Sequence, residues 1–166
     1  FQTNRVPEYN IALDGSYPVV IAEKGYGTVM AQFPVRASSG EGAEILSISG
    51  GLATNQIPAA SVVRIQTSQS NQLVSQLNEY GALYKASNGD NFNIEAVAEN
   101  DAVVLTVVGI SAHSSEPETG INPVSRMLDF LHNLKEEGIF QSNHITDAAQ
   151  YASMNWGLDY LGNSLD

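Results

Sequence analysis

The sequence predicts an α+β fold, a ferredoxin-like two-layer sandwich with a mainly antiparallel sheet covered by helices on one face. Apolar residues recur at helical spacing in two segments, 73–80 and 124–134. Four other segments have the length and the apolar, β-branched composition of strands: 43–49, 59–66, 92–98 and 102–110. Segment 92–98 also alternates between apolar and other residues. The connection at 99–101 is short enough to make the last two strands an antiparallel hairpin.

Two more strands are predicted near the N-terminus. Residues 17–22 (YPVVIA) are apolar and β-branched, which is typical of a strand. Residues 28–35 place Val29, Ala31, Phe33 and Val35 on alternate positions, which predicts a half-buried strand.

The helix boundaries are predicted from capping residues. Thr67 and Ser68 offer N-cap hydroxyls to the first helix, which Gly81 is expected to end. Asn122 and Pro123 are favourable first residues for the second helix, and Gly138 is expected to close it. An Ala-rich third helix is predicted from about residue 143 to 156.

Composition excludes several classes of protein. The 166 residues include 18 acidic and 7 basic side chains, for a net charge of −11, which argues against a nucleic-acid partner. No apolar run reaches the roughly 18–20 residues of a membrane span. The chain has no cysteine, so disulfides and thiolate metal sites are excluded. Its three histidines lack the spacing of a known zinc motif, so no complete metal site is predicted.

The loop at 109–123 contains the main candidate residue, His113. It joins the most hydrophobic segment to the clearest helix and surrounds the histidine with small residues. His113 is either a solvent-facing loop residue or a donor to developing oxyanion charge. A nucleophile pair with Ser114 or Ser115 is a weaker interpretation, because neighbouring residues rarely align as nucleophile and base and neither serine lies in a Gly-x-Ser-x-Gly turn.

Two of four other polar residues, Asn55 and Asp14, have two interpretations each. Asn55 either caps its own turn or binds a polar ligand group, and Asp14 either forms a turn or ligates a metal. His132 is expected on a solvated helix face, and His144 at the surface where a helix begins.

Three stretches, taken in order, resemble one family. Residues 111–122 (SAHSSEPETGIN) resemble the Gly/Ala-His-Ala/Ser-Ser-x-Pro-x-x-Gly-x-Asn motif in the lid or dimerisation domain of dizinc metallopeptidases. That superfamily includes bacterial dipeptidases of the dipeptidase V type, carnosinases, carboxypeptidase G and acetylornithine deacetylase. Residues 50–58 (GGLATNQIP) are similar to the Gly-Gly-x-x-x-Asn-x-Val-Pro segment of the dipeptidase V branch. Residues 14–25 (DGSYPVVIAEKG) are similar to an Asp-x-x-Phe-Pro segment followed by Glu-Lys-Gly, although Ser16 replaces an acidic residue and Tyr17 replaces Phe.

The resemblance implies the lid domain of a zinc-dependent dipeptidase. By that resemblance His113 stabilises the oxyanion of the tetrahedral intermediate, Asn55 helps to hold the substrate, and Asp14 is a zinc ligand. The two zinc ions, the other ligands, the general base and a carboxylate-binding arginine would belong to parts of the enzyme beyond this chain.

The domain organisation follows from the same resemblance. Residues 1–16 are the expected linker from a catalytic domain, and 17–166 the expected lid, C-terminally incomplete. The chain alone is expected to be inactive and not to bind zinc tightly. Its expected partners are a dipeptide or short peptide, the catalytic domain of the same protein and, as a candidate, a second copy. A membrane is not among them, and the cytoplasm and the periplasm both remain open as locations.

Two rival functions remain open at this point. One is a non-enzymatic ferredoxin-like module that binds a small molecule or mediates dimerisation. The other is a self-contained serine hydrolase that uses Ser114 or Ser115.

Overall fold

The computed structural model describes residues 25, 30–100 and 102–155. The chain divides into two compact units, Phe1–Met30 and Ala31–Asp166, and every described strand and helix lies in the second. The predicted boundary between residues 16 and 17 and the predicted strand at 17–22 lie outside the described residues.

The described elements follow the order β-β-β-α-β-β-β-α-α. The strands are β1 (Glu44–Gly50), β2 (Gln56–Ile57), β3 (Ala60–Gln66), β4 (Asn93–Glu99), β5 (Ala102–Val108) and β6 (Ala112–His113). The helices are α1 (Ser70–Asn88), α2 (Pro123–Glu136) and α3 (His144–Asn155), with a short 3₁₀ turn at Pro117–Thr119.

Four of the strands form one antiparallel sheet in the order β1-β3-β5-β4. The β4–β5 pair is the predicted hairpin. The long strands and two helices run β-β-α-β-β-α, whereas a ferredoxin-like chain runs β-α-β-β-α-β. The edge strand beside β3 is therefore β1, which precedes the first helix in the chain, and not a strand that follows α2. The two-stranded ladder of β2 and β6 is separate from this sheet.

The core lies between the sheet and the helices, which confirms the predicted two-layer α+β fold. Alternate residues of β5 (Val103, Leu105 and Val107) are fully buried, as the period of two requires. Helix α1 packs on β4 and β5, α2 packs on β3 and β5, and α3 packs on β1. Their buried side chains include Leu77 and Leu131.

The predicted strand at 28–35 is wrong for its described part. Residues 30–35 pair with no strand among the described residues, and Met30 and Val35 are 78% and 87% exposed. Only Phe33 is partly covered, by an edge-on contact with Tyr151 whose ring centroid is 5.7 Å away. Alternation without a buried face does not make a strand, and Pro34 has no N–H to donate to a ladder.

Helix α1 continues past Gly81, where the sequence predicts its end. Gly81 is buried in the helix, and a Cβ there would lie 3.1 Å from Cγ2 of Ile94. The glycine therefore permits close contact between α1 and β4. The helix ends at Gly89, whose φ of +95° suits glycine.

The predicted N-caps have different outcomes. Asn122 caps α2 as expected, because its Oδ1 accepts a hydrogen bond from Val124 N at 2.9 Å. The N-cap of α1 is Gln69, without a side-chain cap, so the prediction for Thr67 and Ser68 is wrong. Thr67 Oγ1 instead accepts from the N–H of Gln69, which stabilises the turn before the helix. None of the described helices has the length and apolar character needed to cross a membrane.

A buried polar contact joins the three helices. The Tyr84 hydroxyl on α1 donates to Asp129 Oδ2 on α2 at 2.6 Å, and Ser153 Oγ on α3 donates to Oδ1 of the same carboxylate at 2.7 Å. Burial raises the pKa of Tyr84 far above its usual value, and the bond to Asp129 raises it further.

This contact predicts a loss of stability at alkaline pH. Tyr84 stays protonated in the folded chain while the unfolded tyrosine ionises near pH 10. The raised folded pKa means that its contribution is complete below pH 10 and declines above it, by up to about 1.4 kcal/mol per pH unit. Urea unfolding from pH 8 to 11 should show a shallower decline in Tyr84→Phe than in the unmodified chain. Tyr151→Phe, at a 42% exposed position, is the control, and equal slopes in all three proteins would contradict the account.

Candidate functional site

The loop at 109–123 is closed at its base by backbone hydrogen bonds. The N–H of Gly109 donates to Ala59 O at 2.9 Å. Ile110 and Ile121 then exchange two backbone hydrogen bonds, at 3.0 and 2.9 Å. Within the loop, Gly120 N donates to Pro117 O at 3.0 Å. The segment that carries His113 is therefore a closed, internally bonded loop on the end of β5.

Two glycines allow the backbone strands of this loop to approach one another. A Cβ on Gly109 would overlap the carbonyl oxygen of Ile121. A Cβ on Gly120 would lie 2.7 Å from Cβ of Ala112 and 2.9 Å from Cδ1 of Ile57. These glycines are needed for packing within the loop, so they contribute to the site by fixing its shape.

The short β2–β6 ladder brings Asn55 and His113 together across 58 positions of sequence. Gln56 pairs with His113, and Ile57 pairs with Ala112. The N–H of Ser114 donates to Asn55 O at 3.0 Å and extends the contact by one residue. Residues opposite each other in a ladder share a face, so Gln56 and His113 point to the exposed side while buried Ile57 points inward.

The hydrogen bonds of His113 fix its tautomer. The backbone N–H of Ser115 donates to Nδ1 at 3.2 Å. A backbone N–H can only donate, so Nδ1 is the unprotonated nitrogen of the neutral ring and Nε2 carries the hydrogen. No described residue makes a hydrogen bond to Nε2, and the side chain is exposed. His113 thus presents an N–H donor at the outer edge of the loop.

Ser115 also places its hydroxyl beside the same nitrogen. Its Oγ lies 2.7 Å from His113 Nδ1, although residues so near in sequence rarely align as nucleophile and base. A nucleophile–base pair also needs a group that orients the histidine from its other nitrogen, as a carboxylate does in a catalytic triad. Among the described residues no such group contacts Nε2. The contact therefore serves to orient the imidazole.

The other two histidines lie in helices and not in this loop, His132 in α2 and His144 in α3. Asp14 lies outside the described residues. His144 lies at the first position of α3, as expected, but it is half-buried, with Nδ1 3.2 Å from Arg36 O. His132 was expected on a solvated face, but it is only partly exposed and its Nδ1 is buried without a hydrogen-bond partner in the described part of the chain.

No three histidine, aspartate or glutamate side chains of the described ranges come together in a way that could hold a metal ion. The carboxylates nearest in sequence to His113, Glu116 and Glu118, are exposed loop residues. The described residues alone do not fit a zinc site.

Two polar residues of the site were missed by sequence reasoning. Gln56 Nε2 donates to Ser111 Oγ at 2.9 Å, and Ser111 Oγ donates to Ile57 O at 2.9 Å. Both side chains lie on the exposed face of the β2–β6 ladder with His113. A two-residue strand shows no periodicity, so only the position of Gln56 beside Asn55 could have drawn attention to it.

Comparison with known proteins places this loop in a recognised kind of domain. Residues 100–158, which include the loop and helices α2 and α3, match the family described as Peptidase dimerisation domain.

Several curated relatives resemble a longer part of the chain. "Putative dipeptidase YtjP" of Bacillus subtilis (strain 168) is 27% identical over 132 residues, which are 79% of this chain and 27% of that protein. "Putative dipeptidase SH1171" of Staphylococcus haemolyticus (strain JCSC1435) is 26% identical over 137 residues, 81% of this chain and 28% of that protein. "Putative dipeptidase SAR1836" of Staphylococcus aureus (strain MRSA252) is 24% identical over 173 residues, 98% of this chain and 36% of that protein. The chain thus spans about a quarter to a third of the length of these relatives.

Proposed function

Residues 100–158 match the family described as Peptidase dimerisation domain, and from this premise we propose that the chain is the lid of a zinc-dependent dipeptidase. The lid would close over a dipeptide bound to a catalytic domain of the same protein and add groups that the catalytic domain lacks. The names of the relatives support dipeptides as the substrate class. Three relatives whose alignments cover 79%, 81% and 98% of this chain carry the name "Putative dipeptidase".

The observation that carries the proposal is the N–H donor of His113. Hydrolysis of a peptide bond passes through a tetrahedral intermediate whose oxygen is negatively charged. A preorganised donor aimed at that oxygen lowers the barrier, because its bond to the oxyanion is stronger than its bond to the neutral carbonyl. His113 has the required Nε2–H, and Ser115 holds its ring through Nδ1.

Asn55 is proposed to hold the substrate beside His113. Its backbone carbonyl accepts from Ser114 N, which ties the turn at Asn55 to the histidine loop. The exposed amide can donate to a substrate carbonyl or accept from an N–H. A rigid pair of this kind orients one peptide unit when the lid closes.

Zinc is proposed to belong to the catalytic domain, because the described residues do not fit a metal site. When bound there, zinc would supply an activated water and polarise the scissile carbonyl. Asp14 is proposed as a zinc ligand by family resemblance alone. The contribution of the described residues is separate from the metal: they present a donor, fix its orientation and exclude water when closed.

A second copy of the chain is also a proposed partner. The sheet has β1 and β4 at its edges, and in the described part of the chain neither has a strand on its outer side. An uncovered edge strand can pair with another chain through its free backbone groups. Dimerisation through such an edge would agree with the family description.

The division of labour between lid and catalytic domain can be tested with the isolated chain. The 166-residue chain with added zinc is expected to show no turnover of alanyl-leucine, whereas the complete protein hydrolyses it. Zinc-dependent turnover by the isolated chain would contradict the proposal. Labelling of Ser115 by a fluorophosphonate, abolished in Ser115→Ala and unchanged in Ser114→Ala, would instead support a serine hydrolase.

A further inference from the structure

We infer that Gln56 is a specificity-determining residue of the proposed dipeptidase, which accepts a hydrogen bond from the free α-amino group of the substrate residue whose carbonyl is cleaved. The inference rests on the proposed function of His113 and extends it to a second side chain. It would make the β2–β6 ladder a recognition surface for an unblocked N-terminal residue.

The orientation of the Gln56 amide follows from its hydrogen-bond chain. The carbonyl oxygen of Ile57 can only accept, so the Ser111 hydroxyl 2.9 Å away uses its hydrogen there. Ser111 Oγ is then left as an acceptor for the Gln56 group, also 2.9 Å away, and that group must be the NH₂. The carbonyl oxygen Oε1 of Gln56 is consequently on the other branch of the amide, and no described residue donates to it.

Gln56 and His113 therefore form an acceptor–donor pair on one exposed face. They are directly opposite in the ladder, so their Cβ atoms are expected about 4.5–5.5 Å apart. Their tips can reach one ligand residue. The donor is Nε2–H of His113, and the acceptor is Oε1 of Gln56.

One extended amino-acid residue complements this pair. In an extended residue the N–H and the C=O point to the same side, which is why opposite residues of an antiparallel ladder can exchange two hydrogen bonds. A substrate residue that directs its carbonyl oxygen to His113 thus directs its own nitrogen to the neighbouring acceptor. In a dipeptide the cleaved carbonyl belongs to the N-terminal residue, so that nitrogen is the α-ammonium group.

The surroundings provide room for such a residue. Gln56 and Ser111 line a pocket of about 450 Å³ whose walls are mainly apolar and include Leu52, Pro58 and Val62. A hydrogen bond from a charged ammonium to an amide oxygen is also stronger than one between two neutral groups.

Two phosphinate dipeptide analogues test the inference in the complete protein. Both mimic the tetrahedral intermediate. The amino analogue carries the free α-amino group of the N-terminal residue, and the des-amino analogue carries a hydrogen in its place. Inhibition of alanyl-leucine hydrolysis gives the Ki of each. Gln56→Met, which keeps side-chain length without the amide, should weaken the amino analogue about 10–100-fold and change the des-amino analogue less than about threefold. Gln56→Glu, which keeps an acceptor, should retain the preference for the amino analogue.

Controls separate failure of this inference from failure of the proposed function. Gln141→Met changes a half-buried glutamine outside the ladder, whose Nε2 donates to Gly42 O, and should leave both Ki values unchanged. His113→Ala should weaken both analogues alike. Suppose that His113→Ala weakens the binding of both analogues. If Gln56→Met then weakens neither analogue, or weakens both equally, Gln56 does not bind the amino group. If His113→Ala weakens neither, the proposed function itself is wrong.

Discussion

Replacing His113 with alanine in the complete protein, the proposed dipeptidase, is expected to lower kcat about 10²–10³-fold, the cost of removing one donor from an oxyanion hole. The effect should fall mainly on kcat, because the Nε2–H bond strengthens as the carbonyl oxygen becomes an oxyanion. Zinc content, measured by atomic absorption, should not change, since no cluster of ligands surrounds His113 in the described residues.

A second histidine and a neighbouring serine serve as matched variants. His144→Ala removes a half-buried imidazole at the start of α3, outside the loop, and should leave kcat within about twofold. Ser115→Ala removes the hydroxyl 2.7 Å from Nδ1 but keeps the backbone N–H bond, so a smaller loss than for His113→Ala is expected. Unchanged kcat in His113→Ala would show that the loop does not take part in the reaction.

Replacing Asn143 with alanine is expected to cost about 3–4 kcal/mol of unfolding free energy, from the lost cap and the buried groups left without partners. Oδ1 of Asn143 accepts from the N–H groups of Ile145 and Thr146 at 2.9 and 3.1 Å. Its Nδ2 donates to Ile45 O at 2.9 Å and to Ser38 Oγ at 3.2 Å. The buried amide thus caps α3 and fastens it to β1 at the same time.

Asn155→Ala is the control for that substitution. Asn155 lies exposed at the end of the same helix and bonds only the Tyr151 carbonyl one turn away among the described residues, so its loss should cost less than about 0.5 kcal/mol. Unfolding in urea, followed by circular dichroism, gives both values. A loss below 1 kcal/mol for Asn143→Ala would mean that water replaces the lost bonds.

The fold was predictable wherever a buried face left a pattern in the sequence. The apolar, β-branched runs of β3 and β5, the alternation in β4 and the capping pair Asn122–Pro123 placed these elements correctly. The failures have local causes. Gly81 was expected to stop a helix but lies inside α1, because contact with Ile94 requires a residue without a side chain. Residues 30–35 alternate without a face to bury.

Less of the candidate site than of the fold could be predicted from the sequence. From residue chemistry alone, His113 could equally have been an ordinary loop histidine. The expectation that His113 and Asn55 act at one site came from family resemblance. The contact between their segments depends on a two-residue ladder whose partners, such as Gln56 and His113, are more than 50 positions apart. The tautomer of His113 and the amide orientation of Gln56 follow only from hydrogen bonds to Ser115 and Ser111.

The central claim is that His113 stabilises the transition state more than the bound substrate. The most direct measurement compares His113→Ala with the unmodified complete protein, using the Ki of the amino phosphinate and the KM of alanyl-leucine. The affinity for the phosphinate should fall about 10²-fold or more, in parallel with kcat/KM, while KM changes by less than about threefold. A similar loss for the planar substrate and the tetrahedral analogue, or no loss for either, would contradict the claim.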